Sequence, residues 1–139
     1  MGKLKQVFLI DDDPVNNFIN EKTVKAHPLV QDVKIFYNGE DAITHISKHL
    51  FDEEISLIML DVNMPRMDGF QFLTVFTKLS KEQPTLAHVP LVMLSSSVRP
   101  EDKQKSFTYE VVRDYIPKPL TLDTFDKIIK NHIYAFGSY

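Results

Sequence analysis

The sequence contains no cysteine among its 139 residues. That absence excludes disulfide bonds, thiolate catalysis and zinc sites built on cysteine. Basic residues are not in excess either, because 16 lysines and arginines stand against 19 aspartates and glutamates, for a formal net charge of -3. A nucleic-acid-binding surface normally shows as a basic excess or stripe, so the composition argues against nucleic acid as a partner.

Long hydrophobic runs are missing as well. No stretch approaches the ~20 apolar residues needed to span a bilayer, and residues 1–6 do not form the long apolar segment of a signal peptide. We therefore expect no membrane association and a cytoplasmic location. With 43% hydrophobic and 25% charged residues, the chain has an ordinary globular composition. Its length predicts a single domain over residues 1–139.

Short apolar runs alternate with helix-like segments along the chain. The run Val7–Ile10 stops at three aspartates, and Asp13 followed by Pro14 is typical of a helix N-cap with proline in the first turn. The alternation of a strand-like run and a helical pattern recurs four more times. The later strand-like runs cover residues 33–37, 57–60, 89–94 and 115–116.

Five βα units with continuous apolar strands predict an α/β fold, in which helices cover both faces of a parallel sheet. The first helix carries Val15, Phe18, Ile19 and Ala26 on roughly one face, which we expect to pack against the sheet. We also expect most phenylalanines, including Phe18, Phe72 and Phe125, to lie in the core. In sheets of this kind ligands bind at the carboxyl ends of the strands.

Polar side chains follow the apolar runs at four predicted strand ends. Asp11 and Asp12 follow the first run and Asp61 the third, whereas Ser95 and Lys118 stand at the fourth and fifth. Two carboxylates ~4 Å apart repel by about 4 kcal/mol at an effective dielectric near 20, so the cluster needs a cation or raised pKa values. Oxygen ligands of this kind suit Mg²⁺. A carboxylate can also be the nucleophile of phosphoryl transfer, with Lys118 and Ser95 binding phosphoryl oxygens.

Four motifs resemble those of the response-regulator receiver family. They are LIDDDP (9–14), LIMLDVNMPRMDGF (57–70), LVMLSS (91–96) and DYIPKPL (114–120). They span nearly the whole chain, in the order and spacing of that family. The resemblance implies a flavodoxin-like (βα)5 fold with strand order 2-1-3-4-5. It also implies a stand-alone receiver without an output domain.

The resemblance assigns roles residue by residue. It implies that Asp61 is the phosphoacceptor and that Asp11 and Asp12 form the acidic pair, with Asp12 the more direct metal ligand. The backbone carbonyl of Asn63 is the further metal ligand, and Lys118 is the lysine that neutralises the phosphoryl group. The implied cofactor is Mg²⁺, for which Mn²⁺ can substitute.

Two further positions carry the switch in the family. The resemblance makes Ser95 the switch hydroxyl and Tyr115 the switch aromatic. It also predicts a cis bond between Lys118 and Pro119, although only ~5–6% of X–Pro bonds in folded proteins are cis. Ser96 departs from the family, which usually has alanine or another small residue there.

The implied function is a phosphorylation switch of a two-component phosphorelay. The phosphoryl group comes from a sensor histidine kinase or a histidine phosphotransfer protein, and a downstream protein reads the result. Such a chain is a phosphoacceptor domain and not an enzyme. The alternative is a haloacid-dehalogenase-like phosphatase, a family with the motif D-x-D-x-[TV]. Here Val62 and Asn63 follow Asp61, so the second aspartate is missing.

His45 and His49 are four residues apart on a predicted helix, which is the spacing of a metal-binding pair. The simpler interpretation is a solvated helix face, because the sequence shows no third ligand nearby.

Overall fold

The computed structural model describes residues 3–64, 67–96 and 99–133, and over these ranges five β-strands alternate with five α-helices. No helix in these ranges is long and apolar enough to cross a membrane. The strands are β1 (Val7–Ile10), β2 (Val33–Phe36), β3 (Leu57–Asp61), β4 (Leu91–Ser95) and β5 (Val112–Pro117). The helices are α1 (Pro14–Lys25), α2 (Gly39–Lys48), α3 (Gly69–Glu82), α4 (Pro100–Ser106) and α5 (Leu122–His132).

The strands form one parallel sheet in the order β2-β1-β3-β4-β5, which confirms the predicted flavodoxin-like topology. Its register determines which side chains meet at the carboxyl edge. Ile10 of β1 lies opposite Leu60 of β3, so Asp11 and Asp61 are the next positions on two adjacent strands. Asp61 in turn lies opposite Leu94 of β4, one residue before Ser95.

Apolar side chains are buried on both faces of the sheet, which explains why the strands are apolar without interruption. On one face, Phe8 packs with Phe72 and Phe76 of α3. On the other face, the neighbouring strand residue Leu9 packs with Phe125 of α5. Successive strand residues therefore enter opposite halves of the core, as the two-residue period of a strand requires.

Helix α1 differs from its prediction. Its large apolar side chains face outward, with Val15 62%, Phe18 56% and Ile19 47% exposed. The expectation that these residues face the core is therefore wrong, and so is the core assignment of Phe18. Phe72 and Phe125 are buried as expected.

The polar face of α1 is the one turned inward. The helix buries Asn17, Asn20 and Val24. Asp13 caps the helix by accepting a hydrogen bond from the Val15 N–H, at 2.9 Å. The Asn17 side chain then donates through Nδ2 to a backbone carbonyl at the end of β1. This cap and this anchor set the rotation of the helix, and they outweigh its apolar pattern.

Two phenylalanine substitutions should separate these environments. Phe76→Ala should lower the free energy of unfolding by about 3–5 kcal/mol, because it leaves a cavity in a fully buried site. Phe18→Ala should lower it by less than about 1 kcal/mol, since that side chain is exposed. Urea unfolding of both variants measures the difference. A large loss for Phe18→Ala would place that ring in the core after all.

Candidate functional site

Three carboxylates converge at the carboxyl edge of the sheet. Asp11 and Asp12 stand between β1 and α1, and Asp61 is the last residue of β3. One oxygen from each lies within 4.8 Å of one from each of the others. Asp11 is 4% and Asp61 5% exposed, whereas Asp12 faces solvent. The pocket is thus buried on one side and open to solvent on the other.

The Lys118 side chain reaches into this pocket from the end of β5. Its Nζ lies 2.8 Å from Asp11 Oδ2 and 3.1 Å from Asp61 Oδ1. The backbone N–H of Lys118 donates to the carbonyl of Ser95, at 2.9 Å, which ties the lysine to β4. The Lys118–Pro119 bond is cis, as predicted. One ammonium group therefore contacts carboxylates from two strands.

Backbone and side-chain donors hold Asp11 in place. Its N–H donates to the carbonyl of Phe36, at 3.1 Å, and its Oδ1 accepts from the N–H of Asp13, at 3.0 Å. Asn17 Nδ2 donates to the Asp11 carbonyl, at 2.8 Å. Sequence reasoning did not assign Asn17 this positioning role. The sequence did contain a signal for this role. Asn17 is a polar residue one turn after the cap Asp13, and it lies between the apolar residues Val15 and Phe18.

Gly69 brings the first turn of α3 against the end of β3. A Cβ atom at this position would lie 2.6 Å from the backbone oxygen of Asp61 and 2.9 Å from Cα of Val62. The Gly69 N–H donates to the Val62 carbonyl, at 2.8 Å. Only glycine permits this approach without moving the backbone that carries Asp61. The sequence motif contained this glycine, but the reason for it is visible only in the structure.

The charges of the pocket shift its pKa values. Burial, followed by the charge of Asp11, raises the pKa of Asp61 to about 6, although the nearby Lys118 ammonium opposes the shift. Burial alone would lower the pKa of Lys118, but its contacts with Asp11 and Asp61 outweigh burial and raise that pKa instead. The lysine therefore remains positively charged, while two buried carboxylates compete for one ammonium group.

The remaining predicted residues surround this pocket at different depths. Ser95 is buried at the end of β4, and Ser96 after it is exposed. Asn63 is exposed in the loop that follows β3. Tyr115 lies half-buried on β5, and its hydroxyl oxygen is buried without a hydrogen-bond partner among the described residues.

Comparison with known proteins identifies the family. The family model for the response regulator receiver domain matches residues 7–130 of the chain. The chain belongs to the response regulator receiver family. It is therefore a phosphoacceptor module of two-component signalling and not a catalytic enzyme. This decides against the phosphatase hypothesis.

Two curated proteins with different stated functions are similar in sequence to this chain. The chain is 32% identical to hybrid signal transduction histidine kinase B of Dictyostelium discoideum over 94% of its own length, and 34% identical to a gliding motility regulatory protein of Myxococcus xanthus over 75%. It spans only 7% and 12% of those relatives' lengths.

Two solved structures have the same fold. A two-component response regulator from Cytophaga hutchinsonii has a TM-score of 0.84 and 28% identity, covering 94% of this chain and 98% of that one. The phosphorylated cyanobacterial phytochrome response regulator RcpA has a TM-score of 0.73 and 26% identity, covering 96% of this chain and 94% of that one. Receivers of this family are phosphorylated by histidine kinases.

The donor set of the pocket fits a divalent metal ion. Three carboxylates supply oxygen ligands, which hard divalent cations prefer. Two of them are buried like charges with one lysine between them, an arrangement that an added cation stabilises. The Asp11, Asp12 and Asp61 cluster is typical of the divalent-metal site of receivers.

Removal of the Asp61 charge should stabilise the metal-free protein at neutral pH. Because folding raises the pKa of Asp61 from 3.8 to about 6, the folded state binds that proton more tightly than the unfolded state does. Stability from this group is therefore present at low pH and is lost as pH rises from about 4 to about 6. At pH 7, Asp61→Asn should have a free energy of unfolding about 1–2 kcal/mol higher than the unsubstituted protein, after allowance for solvent screening. It should therefore unfold at a higher urea concentration.

The control for this prediction is Asp13→Asn, since asparagine also caps a helix and Asp13 is exposed. Unfolding of both variants and the unsubstituted protein is compared at pH 4 and pH 7, with a chelator present. If Asp61→Asn is the less stable protein at pH 7, the carboxylate is not under electrostatic strain.

Proposed function

We propose that Asp61 accepts a phosphoryl group from a phosphohistidine, carried by a sensor histidine kinase or a histidine phosphotransfer protein in the cytoplasm. The observation that carries this proposal is the convergence of Asp11, Asp12 and Asp61 around the Lys118 ammonium group at one strand edge. The pocket contains an anionic nucleophile and a fixed positive charge. These are the parts that phosphoryl transfer requires of a protein, together with a metal ion.

We propose Mg²⁺ as the cation of the pocket, held by Asp12, Asp61 and the backbone carbonyl of Asn63, with Asp11 acting through water. Asp12 and Asn63 are exposed, so both can be reached from solvent. Mn²⁺ can substitute, because it also prefers carboxylate, carbonyl and water oxygens. When bound, the cation supplies positive charge to the phosphoryl oxygens.

The reaction follows from the positions of the side chains. A carboxylate oxygen of Asp61 attacks the phosphorus, the phosphorus–nitrogen bond of the donor breaks, and the departing imidazole nitrogen takes a proton from solvent. The product is an acyl phosphate on Asp61. Lys118, already 3.1 Å from Asp61 Oδ1, neutralises one phosphoryl oxygen. The Ser95 hydroxyl donates a hydrogen bond to another.

The exposed apolar face of α1 supports docking of the donor beside the pocket. Val15, Phe18 and Ile19 lie within the first two turns after Asp12. Exposed apolar side chains grouped beside a reactive site mark surfaces for protein partners. RcpA, a relative of similar fold, is phosphorylated in its solved structure, which further supports the proposal.

Phosphorylation with a small donor tests the acceptor. Incubation with acetyl phosphate and Mg²⁺ should add one phosphoryl group to the protein, as read by intact mass, and a chelator should abolish the addition. Asp61→Asn should remain unlabelled, because the amide is not a nucleophile. Asp13→Asn should be labelled as the unsubstituted protein is, since it keeps the three converging carboxylates. If Asp61→Asn is labelled as readily as the unsubstituted protein, another residue is the acceptor.

We propose that a downstream protein reads phosphorylation through Ser95 and Tyr115. Ser95 ends β4 beside Asp61, and Tyr115 lies opposite Met93 on the next strand. A hydrogen bond to the phosphoryl group pulls Ser95 inward and vacates space beside the end of β4, into which Tyr115 can rotate. The buried Tyr115 hydroxyl has no hydrogen-bond partner among the described residues, which costs about 1–3 kcal/mol. This cost favours a change in the rotamer of Tyr115 once space is available. A new rotamer changes the surface formed by α4, β5 and α5.

Substitution of the switch serine separates acceptance from readout. Ser95→Ala should still accept phosphate at Asp61 but lose most of the phosphorylation-dependent change in the NMR signals of the Tyr115 ring. Ser96→Ala is the matched control, because Ser96 is adjacent but exposed. It should keep the full response. A normal Tyr115 response in Ser95→Ala would show that the coupling takes another route.

A further inference from the structure

A second cluster of metal-binding side chains lies away from the acidic pocket. His45 stands in the last turn of α2, His49 follows as its C-cap, and Glu53 comes from the loop that leads into β3. One potential ligand atom from each lies within 4.8 Å of the others. The two imidazole rings are 4.4 Å apart between centroids, and His45 Nε2 is 2.6 Å from Glu53 Oε2.

The expectation of a merely solvated helix face is therefore incomplete. The sequence shows two histidines at metal-pair spacing, but the third ligand comes from an irregular loop after the helix ends. The α2 pattern does not predict where that loop turns. Only its tertiary course brings Glu53 back to the histidines.

Neighbouring side chains orient the ligand atoms of His49 and Glu53. The carboxylate of Asp52 lies 3.1 Å from His49 Nδ1, so that nitrogen carries the proton and Nε2 keeps a free lone pair. Lys34 of β2 lies 3.3 Å from Glu53 Oε1, which leaves Oε2 toward His45.

The cluster is also partly enclosed. The side chains of His45 and Glu53 are only 19% and 17% exposed, whereas His49 is 36% exposed. The rings of Phe36 and Phe8 pack against His45, with centroids at 5.3 and 5.9 Å. An apolar wall on one side and an open histidine on the other leave a path for an ion and its waters. The wall also holds the His45 ring in one orientation.

We propose that His45, His49 and Glu53 bind a divalent transition-metal ion, with Zn²⁺ the best fit. Two imidazoles and one carboxylate are a common zinc ligand set, in which water completes the tetrahedron. The ion takes the place of the hydrogen between His45 Nε2 and Glu53 Oε2, and that proton moves to His45 Nδ1 or to solvent. The site joins the end of α2 to the loop before β3.

Ligand chemistry separates this site from the acidic pocket. Imidazole favours zinc, copper and nickel, while a set of carboxylate and carbonyl oxygens favours magnesium and manganese. Excess Mg²⁺ therefore occupies the carboxylates of Asp11, Asp12 and Asp61 and leaves the histidine site open. This difference allows the site to be titrated in the intact chain.

The test is a titration with Zn²⁺ in excess Mg²⁺, read by competition with a chromogenic chelator. The unsubstituted protein should bind one Zn²⁺, and its melting temperature should rise on addition of the ion. His49→Gln and Glu53→Gln should each bind it at least tenfold more weakly, because each removes a ligand and even the loss of a group behind a ligand costs about 10–100-fold. Both should lose the rise in melting temperature.

His88→Gln is the matched control, because His88 is exposed and outside the cluster. It should bind Zn²⁺ as the unsubstituted protein does. His49 caps a helix end and is partly exposed, so His49→Gln is expected to fold. The proposal is overturned if the protein takes up no Zn²⁺ at micromolar concentration, or if His49→Gln and Glu53→Gln bind it with unchanged affinity.

Discussion

The contact of the Lys118 ammonium group with two buried carboxylates is the interaction on which the arrangement of the pocket depends. Asp11 and Asp61 come from adjacent strands and repel each other, which contributes to the raised pKa of Asp61. Lys118 offsets part of that repulsion, at 2.8 and 3.1 Å. One positive charge against two buried negative ones, with the exposed Asp12 beside them, leaves the pocket short of positive charge. A divalent cation bound by these carboxylates would supply that charge and would offset the negative charge of a phosphoryl group on Asp61.

The parallel sheet is what makes this contact possible. Because all five strands run the same way, their carboxyl ends meet at one edge, and residues distant in sequence become neighbours. Asp11 and Lys118 are 107 positions apart and yet share a hydrogen bond. The two-sided hydrophobic core keeps the register of the strands, and Gly69 lets α3 approach the strand that carries Asp61. The packed core therefore holds the side chains of the pocket at defined positions.

Functional surfaces are also where local sequence rules fail in this chain, as expected of sites shaped by function. Helix α1 turns Phe18 outward because its cap and Asn17 anchor it to the end of β1. At the end of α2, His45 and His49 lie beside Glu53, and His45 packs against an aromatic ring. A helix end with only a structural role does not need such a group of ligands. Both features lie outside the hydrophobic pattern, and both are proposed here as places where other molecules bind.

The sequence by itself determined the βα alternation, the parallel sheet and the positions of the acids, because apolar periodicity and strand-end residues are local properties of the chain. The resemblance of its motifs added the strand order and the cis bond before Pro119. Only the tertiary structure decided the rotation of α1, the close approach at Gly69 and the return of Glu53 to the histidines. The contacts behind these features span only a few residues, but they depend on how irregular connections between strands and helices turn and pack. Such connections have no apolar period from which their course can be predicted.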